Sequence, residues 1–425
     1  MPPIRFIHAA DLHLDAAFSG LSRDIPADFA ERLRTATFTA FRRLLDLCER
    51  ESPDFLLLAG DVYNQEDASV SAQLALRDGF RRLESLSIPV FLVHGNHDPL
   101  ASRLRSVRWP GNVTVFGELP DAVPVFRKGE GTPLAIIHGA SHASGRETRN
   151  LAALFRRTEA CGLHVGLLHA TPGDADGVAR YAPFSQEDLK ASGMDYWALG
   201  HIHDRREVCR EPLAAYPGCT QGLHINEPGE KGCLLVTAEA RTDGGYAVRT
   251  SFRPLGPAVW KTLDMDLGGA ASLDELENRL RTGLDRAAAE VWSGCEMLLV
   301  RLRLQGRTEL DGLLRKGTTC AELADRLREG GNGVPRIWIK DIDVATRPCV
   351  ERGALLERED LLGEVFRLSE AARTASGLQA LREGPLAPLF AHARAGKALE
   401  PLTDEELARL LDDAESLCLD LLESD

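Results

Sequence analysis

The stretch that decides the fold is Pro89-Val-Phe-Leu-Val-His-Gly-Asn-His-Asp98. A short apolar run rich in Val and Phe reads as a buried strand, and it stops on Gly95 before a knot of polar side chains. The same grammar occurs twice upstream. Ile4–Ala10 is an apolar run leading into Asp11-Leu-His13, and Asp54–Ala59 (DFLLLA) leads into Gly60-Asp61. Between these runs, residues 28–51 and 69–86 space their apolar side chains at helical intervals, Phe29, Leu33, Phe38, Phe41, Leu44 and Leu45 among them. Strands and helices that alternate in this way predict an α/β fold whose sheet is covered by helices on both faces.

Further on, short strands are expected at about 113–116, 122–127 and 134–138. Leu163–Leu168 then runs into His169, and Tyr196–Leu199 into Gly200-His201-Ile202-His203. After Gly200 the pattern turns β-rich, with 232–238 and 246–253 the clearest strands, and a first domain over 1–255 closes there. A small α/β domain over 256–345 follows, with the order strand 258–265, helix 272–289, strand 296–304, helical pieces 309–328 and strand 336–343. Residues 346–425 read as helix alone. The last helix begins at Thr403, where Thr-Asp-Glu-Glu matches a capping box.

A chain of 425 residues is long enough for about two to three domains. With 44% hydrophobic and 27% charged residues it can build packed cores, which excludes a disordered or collagen-like protein. No run approaches 18 apolar residues, and the first ten residues have no basic, apolar leader pattern, so a cytoplasmic protein without membrane spans is expected. Nine scattered cysteines without a C-x-x-C argue for reduced thiols, against both a disulfide frame and a thiolate zinc site. The net charge of -14 resides mostly in the tail: residues 341–425 carry -10, and residues 1–340 only -4. A nearly neutral body leaves a polyanionic substrate open.

The chemistry lies at the strand ends. In α/β sheets, the carboxyl ends of the strands form the ligand-binding edge. Five such ends deliver Asp11, His13, Asp61, Asn96, His169, His201 and His203. Oxygen and imidazole donors without thiolate suit Mn²⁺, Fe²⁺, Zn²⁺ or Mg²⁺. Seven ligands exceed the needs of one ion and suit two that share a carboxylate. Gly60, Gly95 and Gly200 precede ligands at sharp turns, where a positive φ or a close approach is required. His8, His94 and His164 lie in apolar strands and are expected as satisfied core histidines. His138, His142 and His224 sit near strand ends and are open as site residues. Arg103, Arg105 and Arg108 with Trp109, and the later cluster Arg146, Arg149, Arg156 and Arg157, are either a solvated face or phosphate contacts.

In this order, D-x-H, G-D, G-N-H-D, a lone His and G-H-x-H resemble the calcineurin-like metallophosphoesterases. Within them, the opening Ile-His-Ala-Ala-Asp-Leu-His-Leu and the stretch Tyr216-Pro-Gly-Cys-Thr-Gln-Gly-Leu-His-Ile-Asn-Glu-Pro-Gly-Glu-Lys-Gly232 resemble the SbcD/YhaO-type exonuclease subunits. The resemblance implies a four-layer metallophosphoesterase β-sandwich flanked by helices, with a small α/β cap that contacts DNA and a helical C-terminal tail that docks an ATPase. It implies Asp11, His13 and His203 on one metal, Asn96, His169 and His201 on the other, and Asp61 on both. His97 would contact or protonate at the scissile phosphate, with Asp98 holding its ring. Asn64, His142, Arg105 and His224 are further candidates for substrate contact. Asn64 stands where some of these nucleases have a His three residues after the bridging Asp, which leaves strand polarity open.

The function implied is DNA phosphodiester hydrolysis in end processing by a hydroxide held between two ions, Mn²⁺ foremost, with an SMC/SbcC-like ATPase as partner and a homodimer as assembly. Two other functions compete. A small-molecule phosphatase or cyclic-nucleotide phosphodiesterase could use the same core, although Gly60-Asp-Val-Tyr-Asn64 departs from the protein-phosphatase pattern. A non-catalytic scaffold would typically have lost ligands, and none of the seven is missing.

Overall fold

In the computed structural model the described residues are 2–21, 25–64, 69–101, 107–173, 180–242, 244–328, 333–349, 352–392 and 402–422. They form two six-stranded sheets. The first has the order β12-β11-β1-β2-β3-β4, with β1 Ile4–Ala9, β2 Phe55–Ala59, β3 Val90–Val93, β4 Val113–Val115, β11 Gly232–Ala240 and β12 Tyr246–Pro254. The second has the order β5-β6-β7-β8-β10-β9, with β5 Asp121–Val125, β6 Ala135–Ala140, β7 Leu163–His169, β8 Tyr196–Gly200, β9 Arg206–Arg210 and β10 Leu213–Tyr216. Strands β1 to β4 are mutually parallel, as are β6, β7 and β8, so each sheet gathers its strand C-termini at one edge.

Strand residues alternate between two faces, and here both faces are buried. One face of the first sheet, through Phe6, Phe55, Leu57 and Phe91, packs onto Ile137, Val165, Leu167 and Tyr196 of the second. Phe6 stacks on Phe55 with ring centres 4.7 Å apart. The opposite face, through Ile7, Leu56, Leu58 and Leu92, packs under helices α2 (Ala36–Glu51) and α3 (Val70–Ser85). The outer face of the second sheet, through Leu168, Trp197 and Leu199, is covered by Phe155 and by Leu189 of α4 (Gln186–Ala191). The layers therefore run helix, sheet, sheet, helix. This is the four-layer β-sandwich flanked by helices that the resemblance implies; the periodicity reading of one sheet with helices on both faces is corrected, because each sheet has helices on one face and the other sheet on its second.

The single helix expected over 28–51 is two, Ala27–Arg34 and α2, divided at Thr35. The Thr35 hydroxyl donates back to the carbonyls of Glu31 and Arg32, and this side chain competes with the helical ladder at the junction.

The chain divides into two compact units. The first comprises residues 1–263, 281–302 and 322–342; the second comprises 264–280, 303–321 and 343–425. A three-stranded sheet is formed by Ala258–Asp266, Met297–Thr308 and Arg336–Pro348. Within the first unit, Trp260, Met297, Leu299 and Trp338 share a core with Phe29 and Leu33. Compactness thus divides the chain differently from the cut at 255 and 345 suggested by its rhythm. In the second unit, Leu419 of the helix Asp404–Leu422 packs on Leu362 and Phe366. Buried Glu415 is held there by Arg352 at 2.9 Å and Arg373 at 3.2 Å. The capping box forms, with Thr403 Oγ accepting from the Glu406 N–H and Glu406 Oε2 from the Thr403 N–H. Among the described residues no helix is long and apolar enough to cross a membrane.

Candidate metal centre

The site is assembled by backbone first. Strands β1 and β2 pair in parallel, so the loops that follow them leave side by side and zip together. The Asp11 N–H donates to Gly60 O at 3.1 Å and the His13 N–H to Asp61 O at 3.1 Å. Glycine serves this edge in two ways. Gly60 takes φ +89°, which a side chain would resist, and a Cβ there would also lie 2.5 Å from His169 Nδ1. Gly95 and Gly200 are needed for approach alone: a Cβ on Gly200 would lie 1.8 Å from Ala59 O, and one on Gly95 2.3 Å from Asp61 Oδ1. Asp11, His13, Asp61 and His201 themselves hold φ of 51°, 40°, 49° and 103°. Such backbone costs on the order of 1–3 kcal/mol per residue and persists where surrounding bonds over-determine it.

Two groups of side chains result. Asp11, His13 and His203 bring ligand atoms within 4.8 Å of one another, as do Asp61, His169 and His201. In the first group the Nε2 atoms of His13 and His203 face each other at 3.1 Å. In the second, Asn96 Oδ1 lies 3.0 Å from His169 Nε2 and 3.2 Å from His201 Nδ1. Asp61 stands between them, with Oδ2 3.2 Å from His169 Nε2 and 4.0 Å from His13 Nε2. Asp11 accepts the His201 N–H on both oxygens at 3.1 Å, which ties the groups together through the backbone.

The donor set fits divalent cations. Ligands held about 2.0–2.2 Å from one ion lie about 3 Å from each other, the spacing seen here between imidazole nitrogens and carboxamide or carboxylate oxygens. Electrostatics point the same way, because two carboxylates are buried together. Burial pushes Asp11 up, against the pull of His169 and His203. Burial also works to raise Asp61, but His169, His13 and His97 outweigh it and hold that carboxyl below the usual range. Burial alone would depress His169; Asp61 at 3.2 Å overcomes it and raises the ring to about 9. The His169 proton therefore supplies, in the metal-free chain, positive charge that the buried carboxylates require. His13, by contrast, is pushed down to about 4 by burial.

Three of the four candidate histidine ligands are backed on the far nitrogen. His13 Nδ1 meets Asn64 Oδ1 at 2.6 Å, His169 Nδ1 meets Ala59 O at 2.9 Å, and His203 Nδ1 meets Glu227 Oε1 at 2.6 Å. Glu227 is held down to about 2, its burial outweighed by the bond to His203. Asn64 thus touches a ligand, and Glu227 is a residue that sequence reasoning did not single out, because only the fold brings it to His203.

His97 is exposed at the mouth, its N–H donating to Asp61 Oδ1 at 2.9 Å and its ring edge-on to His13 at 5.2 Å. Asp98 departs from expectation. Its carboxylate accepts from the N–H groups of Val62 at 3.0 Å and Gly95 at 2.7 Å and faces His94 Nδ1 at 3.3 Å, so it braces the loops rather than the His97 ring. His142 abuts the site, with Nε2 2.6 Å from His169 O and Nδ1 buried without a hydrogen-bond partner among the described residues. His224 accepts the Asn226 N–H at 3.1 Å, within its own loop. Arg105 and Arg103 lie outside the described residues. His138 is turned away, paired with His164 at 3.0 Å. His8 is satisfied by Tyr196 and Leu199, as expected of a core histidine. Also not anticipated are Tyr181, edge-on to His201 at 5.3 Å, and the exposed Arg205 and Arg206, which sit over the rings of Phe252 and Tyr216.

Comparison with known proteins identifies relatives of this chain. The calcineurin-like phosphoesterase family matches residues 4–205, and the middle domain of the metallophosphoesterase YhaO matches residues 260–347. The chain is 34% identical over 388 residues to the metallophosphoesterase YhaO of Bacillus subtilis, covering 90% of this chain and 91% of that one. The DNA double-strand break repair protein Mre11 of Aeropyrum pernix is 27% identical over 319 residues, 68% of this chain and 69% of its own. Mre11 of Sulfurisphaera tokodaii is 26% identical over 216 residues, 48% and 50% of the two chains.

Proposed function

The chain belongs to the calcineurin-like phosphoesterase family, with the metallophosphoesterase YhaO among its relatives, and on that premise we propose that it is a metal-dependent nuclease acting on DNA ends. Phosphoester hydrolysis is the family's chemistry; DNA is the substrate inferred. The observation that carries this reading is the convergence of Asp, Asn and His side chains into two groups that share Asp61. Asp11, His13 and His203 would hold one ion, Asn96, His169 and His201 the other, and Asp61 both. Two divalent ions, Mn²⁺ before Fe²⁺, Zn²⁺ or Mg²⁺, would supply Lewis-acid charge and a water that ionises near neutral pH.

The chain's own residues supply the rest. Exposed His97, tethered through its N–H to Asp61, is placed to meet a phosphate oxygen and to give a proton to the departing one. Asp98 keeps the Gly95 turn and the Val62 loop together, so that Asn96 and Asp61 stay in register. Arg205 and Arg206, two and three residues past His203, sit over aromatic rings, 4.1 Å from Phe252 and 5.6 Å from Tyr216, with no carboxylate partner among the described residues, which suits phosphate-backbone contact. Relatives named for DNA double-strand break repair support DNA as substrate. The reading extends to residues 256–345 as a DNA-contacting cap, 346–425 as a docking region for an SMC-like ATPase, a homodimer, and a cytoplasmic setting.

The test is digestion of end-labelled linear duplex DNA by the purified chain with Mn²⁺, with bis-p-nitrophenyl phosphate as a second substrate. Release of label that His97→Ala abolishes, while the variant keeps its metal, is the expected result. Hydrolysis of the small ester with DNA left intact in the presence of an SMC-like ATPase would overturn the nuclease in favour of a small-molecule phosphodiesterase.

A further inference from the structure

The segment from Tyr216 to Gly232 supplies none of the seven proposed ligands, yet it converges on one of them. Glu227 Oε1 lies 2.6 Å from His203 Nδ1. Its other oxygen accepts the Leu223 N–H at 2.7 Å, and its own N–H donates to His224 O at 2.9 Å, so the carboxylate cannot swing freely. Lys231, only 5% exposed, donates from Nζ to His203 O at 3.0 Å and to Asp204 Oδ1 at 2.9 Å. The Cys219 N–H donates to the same His203 carbonyl at 3.2 Å. Gly218 takes φ +80° beneath it, where a Cβ would lie 2.7 Å from His203 O. Ring and backbone of one residue are thus gripped from a single loop.

The other backed histidines differ in kind. His13 faces a neutral carboxamide and His169 a peptide carbonyl, whereas His203 faces a carboxylate. We propose that Tyr216–Gly232 is a clamp on His203 in which Glu227 is a positioning residue: it holds the proton on Nδ1 and leaves the Nε2 lone pair facing the metal position shared with His13. This rests on the di-metal reading of the site. A carboxylate behind an imidazole fixes ring and tautomer and raises ligand basicity, and losing such a partner typically costs about 10–100-fold in metal affinity. The effect belongs to one ion only, because nothing in the clamp touches His169 or Asn96 among the described residues.

Cys219 lies close enough to His203 and Glu227 for the three to form a candidate cation cluster. That alternative is separable. The experiment is calorimetric titration of the metal-free full-length chain with Mn²⁺, with ¹⁵N spectra of its histidine side chains, for wild type, Glu227→Ala and Glu227→Gln. The expected result is two binding steps in the wild type, one of them weakened about 10–100-fold in Glu227→Ala and less in Glu227→Gln, which keeps an acceptor. The His203 ring should show a single Nδ1–H tautomer that becomes mixed in Glu227→Ala. If Glu227→Ala does not fold, the selective weakening in Glu227→Gln decides alone. Unchanged steps in a folded variant would overturn the clamp, as would a third bound ion lost on removal of Glu227, which would make it a ligand. A wild-type chain that takes up no Mn²⁺ would overturn the site reading itself.

Discussion

The two halves of the centre are built by different means. His169 ends a strand: its side chain is fully buried, its residue pairs in register with Gly200, and its ring is backed by the Ala59 carbonyl. His203 lies beyond a strand, 31% exposed, and is backed by side chains of a loop 24 residues away in sequence. One half is placed by sheet register and the absence of Cβ atoms, the other by hydrogen bonds between side chains. Backbone placement tolerates almost no added atom; side-chain placement tolerates shape change but depends on a few groups.

The largest effect should follow from the residue common to both halves. Asp61→Asn keeps the volume of the side chain but loses the charge that lies 3.2 Å from His169 and 4.0 Å from His13. Both ions should bind weakly, and hydrolysis should fall by about 10³-fold, the equivalent of about 4 kcal/mol of transition-state stabilisation. Metal content by mass analysis beside the turnover rate checks this. Full occupancy of either position would mean that the halves are independent and that Asp61 belongs to one of them.

Gly200→Ala should break the backbone-built half with a single methyl. Its Cβ would lie 1.8 Å from Ala59 O and 2.9 Å from His169 Nδ1, so β8 must shift away from β2. Overpacking of this kind costs about 1–3 kcal/mol, read as a lower melting temperature. The affinity of the His169 position should fall with it, while the His203 position is affected less. Equal loss at both positions would show that the two halves move as one body.

This difference also explains what the sequence made legible. Asp11, Asp61, Asn96, His169 and His201 could be found because parallel strands deliver their ends to a common edge, and an apolar run followed by a polar turn marks such an end. Which glycine needed φ as well as space could not be read: Gly60 takes φ +89°, and all three of Gly60, Gly95 and Gly200 answer to neighbours remote in sequence. Glu227 was hidden for the same reason, since a Glu in a turn-rich loop carries no periodic signal. The resemblance implies Asp98 on the His97 ring, whereas its oxygens serve Val62 and Gly95. The division at Thr35 and the second sheet over the first are products of competition and packing, which periodicity along one segment does not record.

The mildest way to sharpen the contrast is pH. Burial works to lower His169, but Asp61 raises it to about 9, so the metal-free chain carries that proton at neutral pH and an incoming ion must displace it. Affinity at this position should therefore climb by up to about tenfold per pH unit below 9 and level off above it. His13, held near 4 by burial, has no proton to give up above pH 5 and adds no slope of its own. Mn²⁺ titrations between pH 6 and 9, run in two buffers of different ionisation enthalpy, measure both the slope and the proton released. An affinity flat across that range would mean that His169 is already neutral in the metal-free chain, and that the buried carboxylates take their balancing charge from elsewhere.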